Sequence, residues 1–234
     1  MSLKEQIKET YEHEAKIYDK TRAIFEKGRF ACRERKLLSE FLTRRSLILF
    51  LACGTGRHFK FVVNQLGSEV IGLDISVNML RIAKRKLLKI GKKQNVHLIA
   101  ADVENIPFRQ NTFDAVVCSR AFYIFENKFR VLQETYEILK RGKKSMISTI
   151  FMDLLLIRLG IRIGLLNRDP SQYPYTSRQL AEMFKKAHFK NIQQRCIVLF
   201  TGDPSHIPSP ILRIISMIED RLHGGRWTMV IGEK

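Results

Sequence analysis

Ile48-Leu49-Phe50-Leu51-Ala52-Cys53-Gly54-Thr55-Gly56 decides the fold of this 234-residue chain. Four large apolar side chains in succession stop at a small, glycine-bearing turn. A run bounded in this way suits a strand buried on both faces, as in a parallel sheet. Gly54 and Gly56 can take backbone angles closed to other residues and let a ligand approach the main chain. Open α/β sheets bind their ligands just beyond such strand ends.

Working outward, strands and helices alternate. Hydrophobic periodicity predicts strands at 47–51, 69–74, 96–100, 115–118 and 145–150, with helices at 58–66, 77–90 and 127–139. Ser76 is the expected N-cap of the second helix and Gly91 its stop. This alternation argues for a parallel sheet of right-handed βαβ units. Residues 4–45 carry apolar side chains at helical spacing. Thr176 and Gln179 form a candidate capping box for a helix running to Ala187. Strands at 192–199 and 227–231, with a helix at 211–222 between them, suit an antiparallel sheet edge. One domain spanning 1–234 is expected: N-terminal helices at 1–45, a cofactor-binding core at 46–150, and a helical substrate cover at 151–176 and 201–224.

Composition narrows the partners. Lys and Arg number 41 against 23 Asp and Glu, a net charge of +18, which attracts polyanions. The most apolar segment, 150–166, is interrupted by Asp153, Arg158 and Arg162, so no spanning helix is expected. The polar start argues against a signal peptide, and the separated cysteines Cys32, Cys53, Cys118 and Cys196 suit reduced thiols without a zinc site. A cytoplasmic protein without a metal is the expectation.

The turn lacks phosphate machinery. A dinucleotide fingerprint needs a third glycine where Phe59 stands, and no phosphate-loop motif occurs elsewhere. A nucleoside without phosphate fits better. Asp74 ends the second strand, where a carboxylate can accept both hydrogen bonds of a ribose diol. Asp102 follows the third strand, where it can accept from an adenine amine.

These residues resemble the motifs of the Rossmann-like S-adenosylmethionine-dependent methyltransferases over nearly the whole chain. Residues 48–56 are similar to the family's first motif, Ile71-Gly72-Leu73-Asp74-Ile75-Ser76 to its second, and Ala101-Asp102-Val103 with Ile106-Pro107-Phe108 to its third. The resemblance extends to residues 111–117 at the entry to strand four and to 139–143 before strand five. Tyr18-Asp19 resembles a pair that lies over the cofactor in small-molecule and quinone-type members. The resemblance implies a three-layer α/β sandwich with a mostly parallel seven-stranded sheet and an antiparallel last strand. It implies S-adenosylmethionine as cofactor, held by Tyr18, Ala52, Cys53, Gly54, Thr55, Gly56, Asp74, Ile75, Met79, Asp102, Val103, Cys118 and Ser119. Three positions depart from the pattern. Phe50 stands where the family carries an acid for the ammonium of the methionine. Ala52 and Lys143 replace glycines. Phe50→Asp is therefore expected to tighten cofactor binding, and Ala52 to be mild if its φ is negative.

The implied reaction is in-line transfer of a methyl group from a sulfonium, in which positioning does most of the protein's work. No catalytic residue is assigned. Tyr123 and Glu126 face the substrate or begin a helix; His58 packs or caps. Neither the motif of amino-directed base methylases nor the Pro-Cys nucleophile of pyrimidine carbon-five enzymes is present, which favours a small-molecule acceptor, lipid-like or quinone-like. Two alternatives stay open: an RNA methyltransferase using the basic helix 77–90, and a binding protein without catalysis. The apolar segments 151–166 and 211–222 also suit peripheral contact with an anionic membrane. Oligomeric state is not legible.

Overall fold

The computed structural model describes residues 2–21, 29–91, 95–150, 176–198, 209–221 and 227–234. Seven strands form one sheet: β1 (Leu47–Leu51), β2 (Glu69–Asp74), β3 (Val96–Ala100), β4 (Phe113–Ser119), β5 (Leu139–Ile150), β6 (Lys190–Val198) and β7 (Trp227–Glu233). Their order is β3-β2-β1-β4-β5-β7-β6. The first five pair in parallel, and β7 runs antiparallel to both β5 and β6. The chain winds outward one way from β1 to β3 and then restarts on the other side at β4. That reversal makes the β1–β4 boundary the switch point, where the strand ends leave a crevice.

The alternation of side chains along β1 sets the layers. Leu49 and Leu51 join a core with Val131 and Leu132 of α4 (Lys128–Ile138) and Leu180 and Phe184 of α5 (Ser177–Lys186). Ile48 and Phe50 join the opposite core with Leu37 and Leu38 of α2 (Arg29–Phe41) and Ala83 and Leu87 of α3 (Val77–Lys89). The sheet is thus covered on both faces, which is why its central strands read as continuous apolar runs. Two further helices are described, α1 (Leu3–Thr21) and α6 (Ser209–Arg221). Among the described residues, no helix is long and apolar enough to cross a membrane.

Local signals behave as their chemistry requires. Ser76 Oγ accepts from Met79 N at 3.2 Å and starts α3. Thr176 and Gln179 bond reciprocally at 3.2 and 2.7 Å, completing the capping box of α5. Elsewhere the structure differs from the periodicity. The segment expected as a helix at 58–66 is one α-turn, Phe59–Phe61, widened into a π-helical turn, Val62–Leu66. β5 begins at Leu139, not 145, because the C-terminus extends the ladder: Gly142 N donates to Lys234 O and Lys234 N to Lys143 O, both at 2.9 Å. Of the expected substrate cover, α6 is described. Residues 151–175, including Tyr173-Pro174-Tyr175, lie outside the described residues.

Candidate cofactor cleft

The carboxyl ends of β1, β2 and β3 open into one cleft, about 760 Å³ when the open solvent at its mouth is included. Ala52 and Gly54 come from the turn after β1, Asp74 and Ile75 from the end of β2, and Asp102 and Val103 from the loop after β3. Tyr18, Met79 and Ser119, also expected, line the same space. Cys53 and Thr55 line a smaller pocket of about 430 Å³ beneath the turn, which shares Tyr18, Ala52, Gly54, Ser119 and Arg120 with the cleft. Gly56 and Cys118 line neither. Gly56 is required by packing: at φ +74°, a Cβ there would stand 2.4 Å from the Phe59 ring. Cys118 is buried in the sheet, and burial pushes its thiol up to about 12.

Asp74 organises the turn. Its Oδ2 accepts from Gly54 N at 2.7 Å and its Oδ1 from Ser76 N at 2.9 Å, so one carboxylate ties the glycine turn to the start of α3. Burial raises its pKa against the pull of these amides. Cys53 is held as a thiol, because burial and the neighbouring Asp74 both push its pKa well up. A Cβ on Gly54 would meet no atom within 4 Å. The turn therefore presents bare backbone to open space, with a carboxylate behind it. An open turn backed by a carboxylate acceptor has the chemistry to fit a ribose diol at a strand end.

Ala52 lies at φ +46°, in the left-handed region. The condition for a mild replacement is not met, since a Cβ in that region costs about 1–2 kcal/mol. Phe50 is buried, stacked on His58 with ring centroids 5.9 Å apart and edge-on to Phe59 at 5.7 Å. His58 packs as expected but makes no side-chain cap bond. Its Nε2 lies 3.1 Å from Ser119 Oγ. Glu126 lines the cleft; Tyr123, in the 3-10 turn Phe122–Ile124, does not.

Beyond Tyr18-Asp19, sequence reasoning did not find what closes the cleft. Helix α1 lies across it, placing Lys4, Ile7 and Tyr11 in its wall. Lys4 Nζ reaches Asp102 Oδ2 at 2.6 Å and Glu104 Oε2 at 3.1 Å. Glu12 accepts from the first amides of α3, Val77 N at 2.7 Å and Asn78 N at 3.1 Å. Asp19 accepts from Thr55 Oγ1 at 2.6 Å and Lys86 at 2.9 Å. The charges of residues 4–20 give no sequence signal of these partners; only the contacts reveal three fastenings. Glu34 was also missed. It is fully buried on α2, where its Oε1 accepts from Ser119 and Ser148 at 2.7 and 2.6 Å and its Oε2 meets Arg57 at 3.0 Å. Burial opposes its charge, yet Arg57, His58 and Arg120 hold its carboxyl well below the usual carboxylate range.

Residues 48–142 match the family described as "Methyltransferase domain". That match, which spans β1 to the start of β5, identifies a methyltransferase domain within the chain, and the strand order and the cleft accord with it. Among curated relatives, it is 36% identical over 103 residues to a ubiquinone/menaquinone biosynthesis C-methyltransferase of Wigglesworthia glossinidia brevipalpis, covering 43% of this chain and 41% of that one. It is 28% identical to the demethylmenaquinone methyltransferase of Lactiplantibacillus plantarum, covering 75% of this chain and 84% of that one. The first relatives are matched over only 39–56% of their length. A solved methyltransferase from Haloferax volcanii, in complex with the Trm112 activator, shares the fold. Its TM-score is 0.70 at 18% identity, over 95% of this chain and 96% of that one.

Proposed function

We propose that this protein transfers a methyl group from S-adenosylmethionine to a small aromatic acceptor of the quinone type. One observation carries the reading: the bare Gly54 turn, Asp74 and Asp102 line a single cleft at adjacent strand ends. In this reading Asp74 accepts from the ribose hydroxyls, Asp102 from the adenine amine, and the side chains of Ile75, Met79 and Val103 flank the base. The cofactor supplies an activated methyl on a positively charged sulfur.

The protein then has to position the acceptor and exclude water. Past the turn, the cleft wall is formed by Ile7 and Tyr11 of α1 and by Ile124 and Phe125 after β4. A flat apolar ring fits such a wall. The names of the relatives point the same way, toward C-methylation in quinone biosynthesis and a demethylmenaquinone acceptor.

Thermal-shift titration tests the cofactor. A ligand that binds only the folded state at one hundred times its dissociation constant stabilises by about 2.7 kcal/mol. S-adenosylhomocysteine is expected to raise the melting temperature by several degrees; no shift would remove the reading. Methyl-labelled cofactor with a demethylated naphthoquinol tests the acceptor, label in the extracted quinone being the expected outcome.

A further inference from the structure

Along the sheet edge the strand ends run β3, β2, β1, β4, about 4.8 Å apart. With adenine at Asp102 just after β3 and ribose at Asp74 at the end of β2, the sulfur falls at the turn after β1. The amino-acid end then lies beyond it, at the end of β4 and in the pocket beneath the turn. That pocket has a sign opposite to the one expected there. Its acid position is occupied by Phe50. Among the described residues no carboxylate lines it, whereas two guanidinium groups do, those of Arg57 and Arg120.

The two arginines are held in place. Their Cζ atoms stand 5.7 and 5.6 Å from the centroid of the Phe30 ring. Arg57 is anchored from behind by Glu34 at 3.0 Å. The imidazole of the wall, His58, is kept neutral by burial and by Arg57 beside it, Glu34 pulling the other way. A planar guanidinium is matched to a carboxylate, which it can grip through two parallel hydrogen bonds, and it repels an ammonium.

We propose that this chain holds the methionine end of its cofactor by the carboxylate, on Arg120 and Arg57, and that the ammonium is dispensable for binding. The inference rests on the cofactor reading above and adds a polarity to it. The ligand's fixed points are thus acceptors on the protein at the nucleoside end and donors at the amino-acid end.

Calorimetry with three ligands tests it: S-adenosylhomocysteine, its deaminated analogue, which keeps the carboxylate, and its decarboxylated analogue, which keeps the amine. The deaminated ligand is expected to bind within about threefold of the parent and the decarboxylated one at least about tenfold more weakly. Equal affinities, or the reverse order, overturn the inference and leave the cofactor reading standing. Binding by none of the three overturns both. Arg120→Gln, checked for an unchanged melting temperature, is expected to weaken the parent and the deaminated ligand about tenfold while leaving the decarboxylated ligand unaffected. If that variant does not fold, the ligand series on the unaltered protein still decides the matter.

Discussion

Lys4 Nζ lies 2.6 Å from Asp102 Oδ2, on the carboxylate assigned to the adenine amine. The side chains are 32% and 25% exposed, and the hydrogen bond that Lys4 donates to Asp102 is the main cause of its raised pKa. A helix near the N-terminus thus occupies the acceptor that the proposed ligand would use. Exposed pairs of this kind contribute at most about 1 kcal/mol. Lys4→Gln should therefore tighten S-adenosylhomocysteine by about two- to fivefold in calorimetry. Unchanged or weaker binding would mean that Lys4 closes over the ligand instead of competing with it.

Ala52→Gly should stabilise the fold. At φ +46° the alanine methyl is strained, by about 1–2 kcal/mol. Glycine gives some of that back through the greater freedom of its unfolded chain. A net gain of about 0.5–1 kcal/mol corresponds to a melting temperature higher by roughly 1–4 °C for a chain of this size. A lower melting temperature would show that the methyl packs usefully against the cleft wall.

Phe50 shows where sequence reasoning stops. Its departure from the family's acid was legible, and so were the strand, the turn and both aspartates, because each is fixed by local chemistry: apolar alternation, glycine angles, carboxylates at strand ends. What surrounds Phe50 was not legible. Glu34, Arg57 and Arg120 come from different elements, and a glutamate flanked by Arg33 and Arg35 on α2 carries no signal that it is buried. The same holds for α1, whose polar side chains find their partners only in three dimensions.

In that setting Phe50→Asp is primarily a loss of packing. The ring touches His58 and Phe59 and is 3% exposed. Truncating a buried aromatic side chain costs about 3–5 kcal/mol. The expected result of chemical denaturation is a fall of that order, in place of the gain in affinity that the motif alone suggests. A variant of unaltered stability would mean that the cavity under the turn readily admits water.

Asp74→Asn keeps the size of the side chain and removes its charge. Both carboxylate oxygens already accept main-chain hydrogen bonds, so the amide leaves one of Gly54 N and Ser76 N facing a donor. Charge-assisted bonds of this kind are worth about 1.5–3 kcal/mol. Affinity for S-adenosylhomocysteine should drop by about ten- to a hundredfold, with a lower melting temperature. Loss of stability with affinity retained would confine Asp74 to a structural role.

The buried pair on α2 and beside the turn sets the response to acid. His58 has its pKa lowered, chiefly by burial, from an ordinary value near 6.5. Below that value the unfolded chain takes up a proton that the folded one refuses, so stability falls as the pH drops from about 6.5. Glu34 is held well below the ordinary carboxylate value of 4.5, so its contribution is present above that pH and is lost as acidification continues past it. Stability measured by denaturant at a series of pH values should therefore decline in two stages. His58→Gln should flatten the upper stage and leave the lower one. Glu34→Gln should abolish the lower stage and destabilise at neutral pH by about 3–5 kcal/mol, because Arg57 stays buried opposite a neutral group. A single decline confined to pH below 4.5 in the unaltered protein would show that His58 charges in place, with Glu34 as its partner.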